Sequence, residues 1–249
     1  MAGNTSTPGT SVASRLLRMV AAFDEWPRTL TLSELAGRAS LPMATAHRLA
    51  AELVAGGALQ RRTDGRFEVG RLMWSAGLLA PVGGGLRQVA EPFLHDVYAA
   101  TLATVHLAVR DGNEVLYLER MMGRASVPIV STVGSRLPMH CTGVGKVLLA
   151  HAPREVQDQV FANLTPITPY TITQPAVLSR QLEGVRREGL ATTVEEMSLG
   201  ACSLAVPIVR QSDDAVVAAI AVVVPSLKRG RQRLLGALQV AARGIVRLL

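Results

Sequence analysis

The chain predicts an α+β protein in two parts: a small helical unit closed by a two-stranded wing, then a larger unit in which helices flank an antiparallel sheet. Three observations carry that expectation. Two short amphipathic helices meet at a tight corner between Thr31 and Gly57, and an arginine-bearing hairpin, ALQRRTDGRFEVG, follows them. Beyond residue 86, hairpin-forming strands and helical stretches are mixed without the regular β–α alternation of a doubly wound sheet.

The first ten residues, MAGNTSTPGT, are rich in Gly, Ser, Thr and Pro with no apolar period. They read as a flexible arm rather than a signal peptide, having neither a charged start nor an apolar run. Residues 11–70 read as one domain. Its first helix, Ser11 to Phe23, sets Val12, Leu16, Met19, Val20 and Phe23 on one face, suited to closing a three-helix core. In TLSELAGRAS, Thr31 or Ser33 can cap the open amides while Leu32, Leu35 and Ala36 share a face. In LPMATAHRLAAELVAGG, Pro42 opens the helix, Ala46, Leu49, Ala50 and Leu53 form the inward stripe, and Gly56-Gly57 permit a left-handed stop.

With that stripe inward, Met43, Ala44, Thr45, His47 and Arg48 face outward. The helix therefore has a small, nearly uncharged N-terminal end, and the major groove admits a helix whose first residues touch base edges. Arg48 is the leading base or phosphate contact. The hairpin behind it turns at Asp64-Gly65, which suits a primed turn, and carries Arg61, Arg62 and Arg66 where they can reach phosphates or a narrow minor groove. Taken alone, such arginines describe a solvated face. Together with the two helices they make a winged helix-turn-helix, and double-stranded DNA the expected partner.

Residues 71–85, GRLMWSAGLLAPVGGG with its leading glycine, read as a linker helix that stops at the glycine run Gly83 to Gly85. Leu72, Trp74, Leu78 and Leu79 are too apolar for a solvated connector and predict packing on a second subunit or on the next helix. Residues 86–249 form the second domain. Leu86 to Leu102 is helical with Val89, Phe93, Val97 and Ala100 on one side, and TVHLAVRDGNEVLYLERM is a hairpin turning at Asp111-Gly112-Asn113. Helices follow near Gly143 to Ala150, Arg154 to Asn163 and Val177 to Glu188. A second hairpin of continuous apolar strands, SLAVPIVRQSDDAVVAAIAVVVPS, precedes a closing helix from Arg231 to Leu249.

Composition bounds the function without deciding it. The net charge is +7 with only two lysines, yet residues 1–70 hold eight arginines against six acidic residues, so the pattern rather than the charge argues for DNA. No apolar stretch reaches membrane-span length, and a cytoplasmic protein is expected. Cys141 and Cys202 are too few for a disulfide framework.

For chemistry, GSRLPMHCTGVGKVLLAHAP is the richest segment. Its GVGK is not a phosphate-binding loop, since His140 stands where the first glycine belongs and Val147 where Ser or Thr belongs. What remains is a helix whose first turn, Thr142, Gly143 and Val144, offers free amides and a positive dipole end, a seat for a carboxylate or merely a capped terminus. His140, Cys141 and Cys202 lack the spacing of a metal site, and His95, His106 and His151 read as structural or surface residues. Glu195 and Glu196, neighbours on a strand, would point to opposite faces, so a structural role outweighs paired catalysis. Neither cofactor nor metal is expected. An enzyme or metabolite-sensing module using the winged helix for protein contacts is the alternative, but no Ser-His-Asp or Cys-His constellation supplies it with a nucleophile and base.

The run LPMHCTGVGKVLLA, the preceding Gly134, the later EEMSLGACSLAVPI and the winged helix together resemble the IclR family of bacterial transcription regulators, from Ser11 to Leu249. That resemblance implies a homodimer or dimer of dimers on palindromic operators, a GAF-like effector-binding domain, and small-molecule effectors such as carboxylates or aromatic catabolites. By position it implies a pocket lined by Ser126, Ile129, Gly143, Val144, Thr193, Ser203, Ala221 and Val223. The family often has Asp in place of Thr193 and Cys in place of Ser203, and in some members hydroxyl residues in place of Ala221 and Val223. Losing those partners would leave a small polar acid short of hydrogen bonds at about 1–3 kcal/mol each, which predicts an effector larger or more apolar than a short keto acid.

Overall fold

The computed structural model describes residues 11–23, 27–80, 85–122, 127 and 129–249; the expected arm (1–10), Gly83, Gly84 and Ser126 lie outside the described residues. The chain divides into two compact units, Met1–Pro81 and Val82–Leu249.

In the first unit, α1 (Val12–Ala21) starts at Ser11, whose hydroxyl accepts from the Ser14 N–H, and it drives Met19 into the core. Val12, at the very start of the helix, is exposed rather than packed. Helix α2 (Leu32–Arg38) is capped by Thr31, not Ser33: Thr31 Oγ1 accepts from the Glu34 N–H at 3.2 Å, and Glu34 Oε2 accepts from the Thr31 N–H at 2.7 Å. This reciprocal box satisfies two amides that the first helical turn leaves open. Pro42 stands just ahead of α3 (Met43–Ala55), and Gly57, at φ 72°, lets the Ala58 N–H close back on Leu53 O. Ala46, Leu49 and Ala50 meet Met19, Leu30, Leu35, Leu59 and Phe67 in one core.

The wing is β1 (Leu59–Arg61) antiparallel to β2 (Phe67–Val69), with Leu30 bridging to Phe67 as an extra rung. Its turn departs from expectation. Only Gly65 has positive φ, and the Gly65 N–H donates to Arg62 O while the Arg62 N–H donates to Arg66 O. The loop is therefore longer than two residues, with glycine alone in the left-handed position. Helix α4 (Arg71–Leu78) follows, and Leu72, Trp74, Leu78 and Leu79 on and just beyond it are exposed in the single chain.

The second unit is a six-stranded antiparallel sheet in the order β5-β4-β3-β8-β7-β6: β3 (Thr104–Asp111), β4 (Glu114–Met121), β5 (Arg136–Pro138), β6 (Ala191–Val194), β7 (Cys202–Val209) and β8 (Val216–Val224). One face bears Val105, Leu107, Leu204, Val206, Ile220 and Val222 and packs on α5 (Leu86–Thr101) and α9 (Arg231–Val246). The buried stripe of α5 is Leu86, Ala90, Leu94 and Val97; Val89 and Phe93 flank it and Ala100 is exposed. That stripe is rotated from the expected one, and Phe93 lies against Gly244, where an added Cβ would be 2.2 Å from the ring.

The opposite face is paved with small residues, Ala108, Ala205, Ala219 and Ala221, under α6 (Gly143–Ala150), with α7 (Arg154–Phe161) and α8 (Pro175–Glu188) outside it. All eight residues of α6 are buried, Lys146 among them. Small side chains beneath it let the helix lie close to the sheet, and the site described next depends on that closeness.

Candidate functional site

Two groups of residues stand out, one on each unit. On the first, α3 presents Met43, Ala44, His47 and Arg48 to solvent, with Thr45 half-buried at the edge of the same face. The spacing that buries Ala46, Leu49 and Ala50 leaves these residues outward. Arg48 Nη1 donates to Glu52 Oε1 at 3.0 Å across one helical turn, and both side chains are at least half exposed. Such a pair holds by a few tenths of a kcal/mol, about what a competing phosphate would have to overcome. His47 shares a groove with Arg61 of the wing, whose guanidinium lies 5.8 Å from the Phe67 ring centre.

The other wing arginines need a correction. Arg62 lies between Asp64 (3.4 Å) and Glu68 (3.1 Å). Arg66 turns inward: its Nε donates to Thr29 Oγ1 at 3.0 Å and its Nη2 to Thr29 O and Glu34 Oε2 at 2.9 Å. It ties the wing to the capping box of α2 and is not a free cation at the tip. Sequence alone could not separate the three arginines, because the partners of Arg66 lie more than thirty residues away.

On the second unit the structure gathers Ile129, Thr142, Gly143, Val144, Thr193, Ser203, Ala221 and Val223 around one cavity of about 50 Å³. Strand register explains the gathering. Thr193 on β6 faces Ser203 on β7, which faces Val223 on β8, and two residues along β8 Ala221 faces His106 on β3. The Thr193 and Ser203 hydroxyls lie 2.6 Å apart. Thr142 caps α6 by accepting from the Gly145 N–H at 3.1 Å and donates to Pro138 O at 3.1 Å, leaving the first amides of the helix at the cavity wall.

Gly143 has a reason beyond ligand approach. A Cβ there would lie 2.3 Å from Ser203 Oγ, and one on Gly145 would lie 2.4 Å from Met139 O. Both glycines of GVGK are thus demanded by α6 pressing on β7 and on the loop before it. Lys146, the residue that gives the motif its phosphate-loop look, points away and is buried. Its Nζ donates to Glu196 Oε1 (2.6 Å), Glu196 Oε2 (2.7 Å) and Gln181 Oε1 (2.7 Å). Burial lowers the Lys146 pKa and raises that of Glu196, while each charge supports the other. Glu196 is a structural anchor. Glu195 is not its strand neighbour but follows β6 in a left-handed bend at φ 56°, accepting from the Gly200 N–H.

Several lining residues were not anticipated. His106, read from sequence as a structural or surface residue, is buried against the cavity with Nε2 2.9 Å from Ser131 Oγ and its ring edge-on to Tyr117 at 5.0 Å. Burial, with the Arg120 charge nearby, pushes its pKa down to about 3, so the ring is neutral. Burial also raises the Tyr117 phenol, against a hydrogen bond to Thr142. Cys141 and Met197 complete an apolar side, the thiol pushed up to about 12 by burial. The alternation of TVHLAVRD could have shown that His106 shares a face with Ala108. No residues of that strand reveal what covers the face.

Both cysteines are free thiols, and His140 turns outward from the cavity to Thr165 O at 2.9 Å. Among the described residues no group of three His, Cys, Asp or Glu is placed to hold a metal, and no helix is long and apolar enough to cross a membrane.

Residues 12–63 match the IclR helix-turn-helix domain and residues 82–247 the bacterial transcriptional regulator IclR C-terminal domain. The HTH-type transcriptional regulator BhcR of Paracoccus denitrificans is 31% identical over 208 residues, 82% of this chain and 74% of that protein. The HTH-type transcriptional repressor AllR of Salmonella paratyphi A is 28% identical over 234 residues, 92% of this chain and 85% of that protein. Among solved structures, an IclR homolog from Microbacterium hydrocarbonoxydans complexed with 4-hydroxybenzoate superposes with a TM-score of 0.89 at 34% identity, covering 96% of this chain and all of that one.

Proposed function

Because the chain belongs to the IclR family of bacterial transcriptional regulators, we propose that it is a cytoplasmic repressor whose hold on a palindromic operator is set by an aromatic carboxylate bound in the second unit. The DNA-binding and effector domains come with the family.

The face of α3 enters the major groove with Met43, Ala44, Thr45 and His47 against base edges, and Arg48 released from Glu52 to a base or phosphate. Arg61 and, beside its carboxylates, Arg62 follow the flanking backbone. A homodimer, or a dimer of dimers, supplies the second half-site, and the exposed Leu72, Trp74, Leu78 and Leu79 around α4 offer apolar surface for it.

The effector's carboxylate sits at the first amides of α6, Gly143 and Val144, within reach of the Ser203 and Thr193 hydroxyls. Its ring lies on Val144, Ala221, Val223 and Met197. One observation carries the class: the strand positions beside α6 present Ala221 and Val223, which fit a ring and offer nothing to a small polar acid. The 4-hydroxybenzoate held by the Microbacterium protein points the same way.

The test is fluorescence anisotropy with the DNA upstream of the protein's own gene against a scrambled duplex, from about 50 to 200 mM salt. Preference for the native fragment that persists at the higher salt, and release on adding 4-hydroxybenzoate or benzoate, is the expected result. Equal, steeply salt-sensitive binding to both duplexes, with or without acid, would refute the reading.

A further inference from the structure

Resting on the effector class just given, we propose that His106 and Ser131 form a second polar pole of the cavity, which reads a neutral hydrogen-bonding substituent, a phenolic hydroxyl above all, at the end of the ring remote from the carboxylate.

The register sets the separation of the poles. His106 on β3 and Ser203 on β7 are two strands apart, with the alanine and valine of β8 between them. Two strand spacings, combined with a stagger of two residues along the strands, put the poles about 12 Å apart, enough for one benzene ring with hydrogen-bonded substituents at opposite ends. The space between is apolar, so a ring bridges two hydrogen-bonding ends without burying a polar atom against a methyl group.

The two poles are chemically unlike. At one, the α6 amides and the Thr193–Ser203 hydroxyls favour negative charge. At the other, His106 is buried to 4% exposure, its Nε2 is 2.9 Å from Ser131 Oγ, and the edge-on Tyr117 ring fixes its plane. A neutral imidazole provides one donor and one acceptor but no countercharge, and a serine hydroxyl rotates to suit either role. The cation near this pole, Arg120, is already engaged with Ser131 O, and the imidazole itself carries no charge, whereas a phenol, itself donor and acceptor, matches both the ring and the hydroxyl. Burial and the Arg120 charge keep the imidazole neutral. The pole thus selects for what the ring carries opposite its acid, a choice that the helix amides cannot make.

Calorimetric titration of 4-hydroxybenzoate and benzoate into the wild type, Ser131→Ala and His106→Phe tests it. The wild type should prefer 4-hydroxybenzoate by about tenfold, the worth of one good hydrogen bond. Each variant should bring that ratio close to one by weakening 4-hydroxybenzoate alone, with benzoate affinity held within about twofold. Should His106→Phe fail to fold, Ser131→Ala, which removes one oxygen, carries the comparison. A retained preference in Ser131→Ala, or a parallel loss for both acids, overturns the proposal while leaving the effector class intact. Binding of neither acid by the wild type overturns the effector class, and the pole with it.

Discussion

The outward face of α3 and the wall of the cavity each hold a few polar groups in a fixed array, under opposite conditions. On α3 the residues lie within one stretch of helix, Met43 to Arg48, in water, and a backbone that would form without them displays them. Around the cavity they come from strands β3, β4, β6 and β7, the start of α6 and flanking loops, between His106 and Ser203, and their bonds to one another help to hold neighbouring strands and the loop at Ser131 together. Binding and stability are therefore separable on α3 and entangled in the second unit.

The largest expected effect is at the anchor behind the cavity. Lys146→Met leaves the buried Glu196 without its cation, and should cost about 3–5 kcal/mol in the denaturant-induced unfolding of the second unit. The double change Lys146→Met with Glu196→Leu should recover most of that loss. If the single variant unfolds within about 0.5 kcal/mol of the wild type, the pair is not the anchor and the contrast with α3 weakens.

Next is the pH dependence of His106. Its folded pKa, about 3, lies below that of an unfolded histidine near 6.5, so the unfolded chain takes up the proton first as pH falls. Its contribution is fully present above about pH 6.5 and is lost between there and about pH 3, with a slope approaching 1.4 kcal/mol per pH unit. His106→Phe should remove this slope, so the stability difference between variant and wild type must change from pH 7 to pH 5. A constant difference would show that the ring is not buried neutral.

The smallest effects sharpen the comparison within the first unit. Arg66→Ala gives up its bonds to Thr29 and Glu34 and should lower stability by about 1 kcal/mol, with little change in the salt dependence of DNA binding. Arg48→Ala should leave stability within about 0.5 kcal/mol of wild type and weaken operator binding by roughly tenfold. Unfolding curves and anisotropy on the same preparations decide between them; the reverse assignment of effects would exchange the roles of these two arginines.

What the sequence reveals follows the same line. The helices were legible almost to their ends, Gly143–Ala150 among them, because a period of 3.6 and a capping residue are local signals. The long hairpins were legible from continuous apolar runs around turn residues. Strand β5, of three residues, was not singled out, and β6, of four, was read only as a strand carrying Glu195 and Glu196, just beyond its actual end, since an edge strand that short has too few alternations to be distinguished from loop. In the cavity, the residues beside GVGK and ACSLAVPI could be placed because those runs are distinctive. His106, Tyr117 and Ser131 could not be: their meeting depends on β3 pairing with β8, on β4 lying alongside, and on a loop folding over that face. The inward turn of Arg66 escaped for the same reason, its partners being distant in sequence and near only in space.

The pairing of β3 with β8 also sets an order of events during synthesis. The core of the first unit is complete once its own residues have left the ribosome. His106, by contrast, waits for Ala221, and at about 5–20 residues per second the more than one hundred residues between them take on the order of ten seconds to appear. Through that interval β3 and β4 stand as a hairpin with one edge unpaired and an apolar face uncovered, the condition in which nascent chains associate wrongly. A DNA-reading head thus exists on the growing chain before any sensor can govern it. The long wait falls entirely on the half that senses.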